Sequence, residues 1–376
     1  MIKILFLINS LGGGGAERVM VNLLNNIDLS KYDVTVQVIF KGGVNRSSLR
    51  SEIHYIESNM PFCRGISRLF KILSPKLLYK FYIRDYYDLV IAYMHGLPTK
   101  ILQGKPHGVK SIAWLHTSMS NSSLPKFFCQ NQIVPAFDSF DRIVGVGNNV
   151  SESFVKMYGL VQKVVTCYNT NDVNAIKQLA EETMGIDKWS SYKKGLRLVT
   201  IGRLGPEKGY DRLIRCCALL RNERYQFKLL ILGQGSEEAF LKELQQNLHL
   251  EDIVIFGGYQ SNPFPYLKHG DLFVVSSLFE GLNTAMCEAL ILGTPVISTM
   301  VSGATEILGE NSDYGLLVNN DEESLFIGIK QLMSTPELLE HYRAKAQDRA
   351  LFFDTAKTVK AVEDLIDEVV KEENKP

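Results

Sequence analysis

Along the chain, short runs of Ile, Val and Leu alternate with longer segments in which apolar residues recur every three or four positions. In the first half the runs are "IKILFLI", "VTVQVIF", "LVIAYM", "SIAWLH", "RIVGVG" and "VVTCYN". After the polar stretch "MGIDKWSSYKKG" the alternation restarts with "LRLVTIGRL", "FKLLILGQG", "IVIFGGY", "LFVVSS" and "PVIST". Unbroken apolar runs of this length predict parallel strands covered by helices on both faces. Turn residues and mixed charge between about residues 172 and 195 mark a boundary. The expected class is therefore α/β: two doubly wound domains, 1–175 and 176–355. The closing stretch, 356–376, places Val359, Val362, Ile366 and Val370 at helical spacing and predicts a terminal amphipathic helix.

Length agrees with that count, since 376 residues exceed one ordinary core. The apolar share of 45% and charged share of 22% describe a folded chain without a disordered tract. The zero net charge conceals an asymmetry. Residues 1–190 carry 21 Lys and Arg against 14 Asp and Glu, and residues 191–376 carry 20 against 27. A different partner for each half is one reading, and uneven surface charge without function is the other. Neither the balance nor any motif supports nucleic-acid binding. Six cysteines without a CxxC pair fit free, mostly buried thiols in a reducing compartment. "MIKILFLINS" reads as a first strand rather than a signal peptide, and no stretch approaches the ~20 apolar residues of a membrane span.

In doubly wound sheets ligands sit outside the carboxyl ends of the strands, so the loops leaving those ends matter most. The first strand ends in "NSLGGGGAERV", where Gly14 and Gly15 open a helix and let an anion approach backbone N–H groups. The dinucleotide fingerprint fails, because Glu17 or Arg18 stands at the third glycine, and a tight turn would read the same. The second domain opens with "TIGRLGPEKGYDRLIRCC", whose Arg203 and Lys208 could neutralise a diphosphate without metal. Solvated surface charges are the plain alternative for each.

The third loop is "SSLFEGLNTAMCEALILGTPVIS". A helix starting near Asn283 or Thr284 presents the N–H groups of Gly281, Leu282, Asn283 and Thr284 to an anion. Glu288, one turn beyond Thr284, leans toward the same end, so one ligand could meet Glu280 and Glu288 together. Ser277 and Glu280 match a capping box, but Gly281 disfavours a helix that early.

The segments "LGGGGAERV", "AWLHTS", "IGRLGPEKG" and "FEGLNTAMCEALILGTPVISTMVSGATEIL" together resemble the family 4 retaining glycosyltransferases of the GT-B fold, in particular bacterial members building surface polysaccharides. The resemblance covers nearly the full chain. It implies two Rossmann-like domains facing across a cleft, the terminal helix returning to the first. It also implies a nucleotide-sugar donor, a UDP-sugar in this subfamily, held by the second domain, with an acceptor on the first. By the same resemblance Glu288 takes the ribose hydroxyls, and Arg203 and Lys208 the diphosphate. Glu280 with Gly281, Leu282, Asn283 and Thr284 holds donor sugar and phosphate. Gly14 and Gly15 approach the phosphate from across the cleft, and Tyr259 lies where the family contacts the base. Asn283 departs from the family's Pro, Gly or Ser. His116 matches a histidine near donor sugar and acceptor, and His95 is a second candidate of that kind.

The implied reaction retains anomeric configuration by front-face attack, with Arg203 and Lys208 stabilising the leaving group, His116 beside it and Glu280 as a positioning group. The chain contains no DxD motif, so no metal or other cofactor is expected. Between two early strands, Arg64, Arg68, Lys71, Lys76, Lys80 and Arg84 interleave with Phe70, Leu73, Leu77, Leu78, Phe81 and Tyr82. This basic amphipathic stretch reads either as a surface for anionic lipid or as a helical hairpin with solvated charges. The resemblance favours the former: a cytoplasmic protein, peripheral on the membrane, acting on polyprenyl-diphosphate-linked sugars. A noncatalytic nucleotide-sugar-binding subunit, or another GT-B enzyme such as an epimerase or phosphorylase, is the competing reading.

Overall fold

A computed structural model describes residues 1–58, 70–119, 124 and 127–372. The chain divides into two units, one of residues 1–170 and 355–376 and the other of residues 171–354.

Unit 1 is built on a parallel sheet of β1 (Ile2–Ile8), β2 (Tyr32–Val38), β3 (His54–Glu57), β4 (Leu89–Ala92), β5 (Lys110–Leu115), β6 (Arg142–Gly145) and β7 (Val164–Thr166), in the order β3-β2-β1-β4-β5-β6-β7. Ile4 to Ile8 are wholly buried, because helices cover both faces and leave no polar side to β1. The terminal helix Thr355–Lys371 belongs to this unit, burying Val359, Val362, Leu365, Ile366 and Val369. It is fixed from its polar face: Asp367 accepts from Tyr32 Oη at 2.8 Å and Lys31 Nζ at 2.5 Å, and Arg142 pairs with Glu368 and Glu372.

Unit 2 repeats the order. Its strands are β8 (Leu196–Ile201), β9 (Phe227–Leu232), β10 (Val254–Gly258), β11 (Leu272–Val275), β12 (Val296–Thr299) and β13 (Leu316–Val318), arranged β10-β9-β8-β11-β12-β13 and all parallel. In each unit the strand order therefore reverses direction at one place, beside β1 and β4 in unit 1 and beside β8 and β11 in unit 2. Loops splay apart at such a switch point, leaving room for a ligand.

Two strands escape the hydrophobic pattern. β3 reads "HYIE" and β13 only "LLV", both at sheet edges with no wholly buried residue. The basic stretch forms a helix at Pro75–Tyr82, started by the proline at its first position. Phe70, Leu78 and Tyr82 are buried, whereas Leu77 and Phe81 remain over 60% exposed beside exposed Lys76 and Lys80. Arg84 is exposed and Lys71 half-buried; Arg64, Arg68 and Cys63 lie outside the described residues. Of the other cysteines, Cys167, Cys216, Cys217 and Cys287 are buried free thiols and Cys129 is exposed. Among the described residues no helix is long and apolar enough to cross a membrane.

Candidate active site

At the switch point of unit 2 the loops after β8 and β11 are joined by backbone and side-chain bonds. Gly205 leads into a short turn at Pro206–Lys208, and Gly209 follows at φ +59° before the helix Tyr210–Asn222. That left-handed conformation suits glycine, and a Cβ there would lie 2.4 Å from the Ser276 carbonyl oxygen. Leu278 N–H donates to the Glu207 carbonyl at 2.8 Å, and Ser276 Oγ donates to the Lys208 carbonyl at 2.9 Å.

This joint brings Lys208 to Glu280. Lys208 Nζ lies 2.5 Å from Glu280 Oε1, with both side chains less than one-fifth exposed. Ser277 Oγ at 2.6 Å and Asn283 Nδ2 at 3.2 Å donate to that same oxygen. Three donors therefore converge on Oε1 and fix the carboxylate, leaving Oε2 as the oxygen free to turn toward a ligand. Arg203 is different: its side chain is 74% exposed and, among the described residues, is engaged by Glu207 at 2.6 Å. Glu207 is 16% exposed and Arg203 reaches it from solvent, so the arginine side chain is free to swing to another anion.

The helix Thr284–Ile291 begins where the sequence places it. Asn283 is its N-cap, accepting from Met286 N–H at 3.0 Å through Oδ1 while Nδ2 reaches Glu280. Ser277 and Glu280 thus form no capping box; they meet each other instead. Glu288 is buried one turn into the helix, and Leu282 is buried in the loop before it. Thr200, Lys208, Tyr210, Ser276, Ser277 and Asn283 close around a narrow recess at this joint. Tyr259 stands elsewhere, 46% exposed just past β10 at the edge of the sheet.

The remaining candidates belong to unit 1. Gly14 is the N-cap of the helix Gly15–Asn26 in extended conformation, and the space its Cβ would fill is taken by the Glu17 carboxylate, 2.3 Å away. Burial pushes the Glu17 carboxyl up. His95 and His116 follow the neighbouring strands β4 and β5. His116 Nε2 donates to the Tyr93 carbonyl at 2.8 Å, which leaves Nδ1 as the ring's acceptor in the neutral form. His95 is 8% exposed; its Nε2 lies 3.4 Å from Thr117 Oγ1 and its Nδ1 is buried without a partner among the described residues. Burial holds His95 down to about 4, and burial with the neighbouring His95 holds His116 to about 3.

Sequence reasoning did not single out Glu207, Arg212 or Asn320. Glu207 was legible as the acidic neighbour four residues after Arg203. Arg212 and Asn320 become visible only through the carbonyls they bind. Neither leaves a mark in spacing.

Residues 182–349 match the family described as Glycosyl transferases group 1. Over 374 residues, 95% of this chain and 97% of the relative, the sequence is 30% identical to the N-acetylgalactosamine-N,N'-diacetylbacillosaminyl-diphospho-undecaprenol 4-alpha-N-acetylgalactosaminyltransferase of Campylobacter jejuni. The chain belongs to this glycosyltransferase family. Its fold is that of solved relatives too. Anabaena HepE, crystallised with UDP and glucose, superposes with a TM-score of 0.76 at 20% identity, covering 98% of this chain and 100% of that one. Sucrose-phosphate synthase of Thermosynechococcus elongatus gives 0.79 at 17% identity, covering 98% and 99%. The glycosyltransferase thus has the GT-B fold, with two Rossmann-like units.

Proposed function

We propose that this glycosyltransferase moves a sugar from a nucleoside-diphosphate sugar, a UDP-sugar, to a growing glycan carried on a polyprenyl diphosphate in bacterial surface-polysaccharide synthesis, with retention at the anomeric carbon and without a metal. The observation that carries the donor half is the bonding of Lys208 and Asn283 to Glu280 at one helix start at the switch point of unit 2, with Glu288 buried further along the same helix. The acceptor half rests on the Campylobacter relative, whose name gives a diphospho-undecaprenol-linked sugar chain as its acceptor.

In this reading Glu288 accepts from the ribose diol. Arg203 and Lys208 meet the diphosphate, and the amides of Gly281 to Thr284 its outer phosphate. Glu280 offers Oε2 to a hydroxyl of the donor sugar. The bond from the anomeric carbon to the phosphate oxygen breaks, and the nucleoside diphosphate leaves with the electron pair. The acceptor hydroxyl oxygen bonds to the same face of that carbon and gives its proton to the departing phosphate oxygen. Lys208, held by Glu280 before the reaction, stabilises the leaving charge without reorganising. The absence of a DxD motif supports a metal-free step. His116, with Nδ1 as acceptor, and His95 serve the acceptor side, and Gly14 and Gly15 the phosphate.

The exposed pairs Lys76 with Lys80 and Leu77 with Phe81 lie side by side on one short helix, which supports contact with an anionic lipid surface from the cytoplasm. The test is incubation with polyprenyl-diphosphate-linked sugars and a panel of nucleotide sugars in EDTA. Nucleotide release matched by a lengthened lipid-linked glycan is expected. Donor binding without release would make the chain a noncatalytic binding subunit instead.

A further inference from the structure

The geometry points to Arg212 as a positioning residue of the donor site: a buried guanidinium that locks the Glu280 loop to the Lys208 loop. The inference rests on the donor-site reading of unit 2.

Arg212 is 5% exposed. Its Nε donates to the Ser276 carbonyl at 2.7 Å, and its Nη2 to the Ser277 carbonyl at 2.6 Å and Asn320 Oδ1 at 2.8 Å. Every one of these acceptors is neutral. The nearby carboxylates of Asp211 and Glu322 are engaged by Arg215, at 2.8 and 2.6 Å. A buried cation is tolerated only when its hydrogen bonds are made, and here the guanidinium makes them to the turn that precedes Glu280. Asn320 extends the grip, since its Nδ2 donates to the Leu278 carbonyl at 2.9 Å.

The same turn is the one tied to the other loop. Ser276 Oγ binds the Lys208 carbonyl, Leu278 N–H binds the Glu207 carbonyl, and Gly209 packs against both Ser276 and Arg212 with no room for a Cβ. Arg212 therefore sits at the base of a seam whose two edges carry Lys208 and Glu280, and it acts on any ligand through them. A lysine in its place keeps the charge and three N–H donors but gathers them on one nitrogen, without the planar fork that reaches Ser276 from Nε and Ser277 and Asn320 from Nη2. Small displacements of binding groups are costly, on the order of a hundredfold per ångström in the worst cases.

The test is UDP binding by calorimetry to the full chain, as wild type, Arg212→Lys, Asn320→Ala, Lys208→Met and the Arg212→Lys, Lys208→Met pair, with amide exchange of the ligand-free proteins. Arg212→Lys is expected to weaken UDP binding about tenfold alone and less than about twofold on top of Lys208→Met, because the effect passes through Lys208. Exchange should quicken at residues 203–209 and 276–283 and not elsewhere in unit 2. Asn320 is exposed, so its alanine variant folds and should show the same changes in smaller measure. Wild-type affinity and exchange in Asn320→Ala and Arg212→Lys, or an equal loss in both backgrounds, overturns the assignment and leaves the donor site standing. A wild type that binds no nucleoside diphosphate overturns the donor reading and this assignment together.

Discussion

Lys208 Nζ and Glu280 Oε1 lie 2.5 Å apart, although 72 residues separate them, and the contact is what makes one site of two loops. A cation already held by a carboxylate is oriented before a diphosphate arrives. Lys208→Ala removes that cation and leaves Glu280 half-buried without it. The expected result is a fall in kcat of about a hundredfold to a thousandfold with the fold intact by circular dichroism. Glu280→Gln should lose activity as well, and the double variant should be little worse than either single one, since the pair acts as a unit. Additive losses in the cycle contradict the pairing.

Asn283 performs two tasks with its two amide atoms, and substitution separates them. Asn283→Ala loses both and should cost about 1 kcal/mol of stability as well as activity. Asn283→Asp keeps the helix cap but loses the amide bond to Glu280 and sets a second carboxylate against it, so activity should fall and like-charge repulsion should offset the stability that the cap retains. Thermal denaturation beside turnover distinguishes the cases, and equal activity in wild type and Asn283→Asp would show that Glu280 does not depend on this amide.

The buried histidines should shape the acid side of the stability profile. Their native pKa values are depressed, to about 4 for His95 and about 3 for His116. Above an unfolded value of about 6.5 both states are neutral and the contribution is complete. Below it the unfolded chain takes up protons that the native chain refuses, and each histidine lowers stability by up to about 1.4 kcal/mol per pH unit. Urea denaturation from pH 7 to pH 4.5 should show this loss, and His95→Gln should make it shallower. An unchanged slope in that variant contradicts the burial argument.

Exposed Leu77 and Phe81 beside Lys76 and Lys80 should make unit 1 adhere to anionic vesicles. Sedimentation with phosphatidylglycerol vesicles is expected to recover the wild type in the pellet. Lys76→Glu with Lys80→Glu, or Leu77→Ser with Phe81→Ser, should release it, while activity on a soluble acceptor analogue is kept. Equal recovery of all three proteins contradicts the lipid surface.

Much of the fold was legible because buried parallel strands such as Ile4 to Ile8 are written as unbroken apolar runs. β3 and β13 were not, since edge strands with half-exposed side chains carry no such run. The start of the helix at Thr284 could be read from Gly281 and Asn283, which forbid an earlier start and supply a cap. Spacing also marked Glu280, Glu288, Arg203 and Lys208 as candidates. It could not disclose that Lys208 is already paired, because Glu280 reaches it only through the fold. Arg212 carries no mark in the sequence, because Ser276, Ser277 and Asn320 also meet it only through the fold.

The proposed donor site in unit 2 is tested most directly by titrating UDP into the wild type and Glu288→Ala in EDTA. On the proposed reading wild-type binding is expected, weakened about tenfold in the variant, because the ribose diol loses a carboxyl acceptor whose hydrogen bonds contribute about 0.5–1.5 kcal/mol each. No binding of UDP, GDP or ADP to the wild type, or an affinity that Glu288→Ala leaves unchanged, would contradict it.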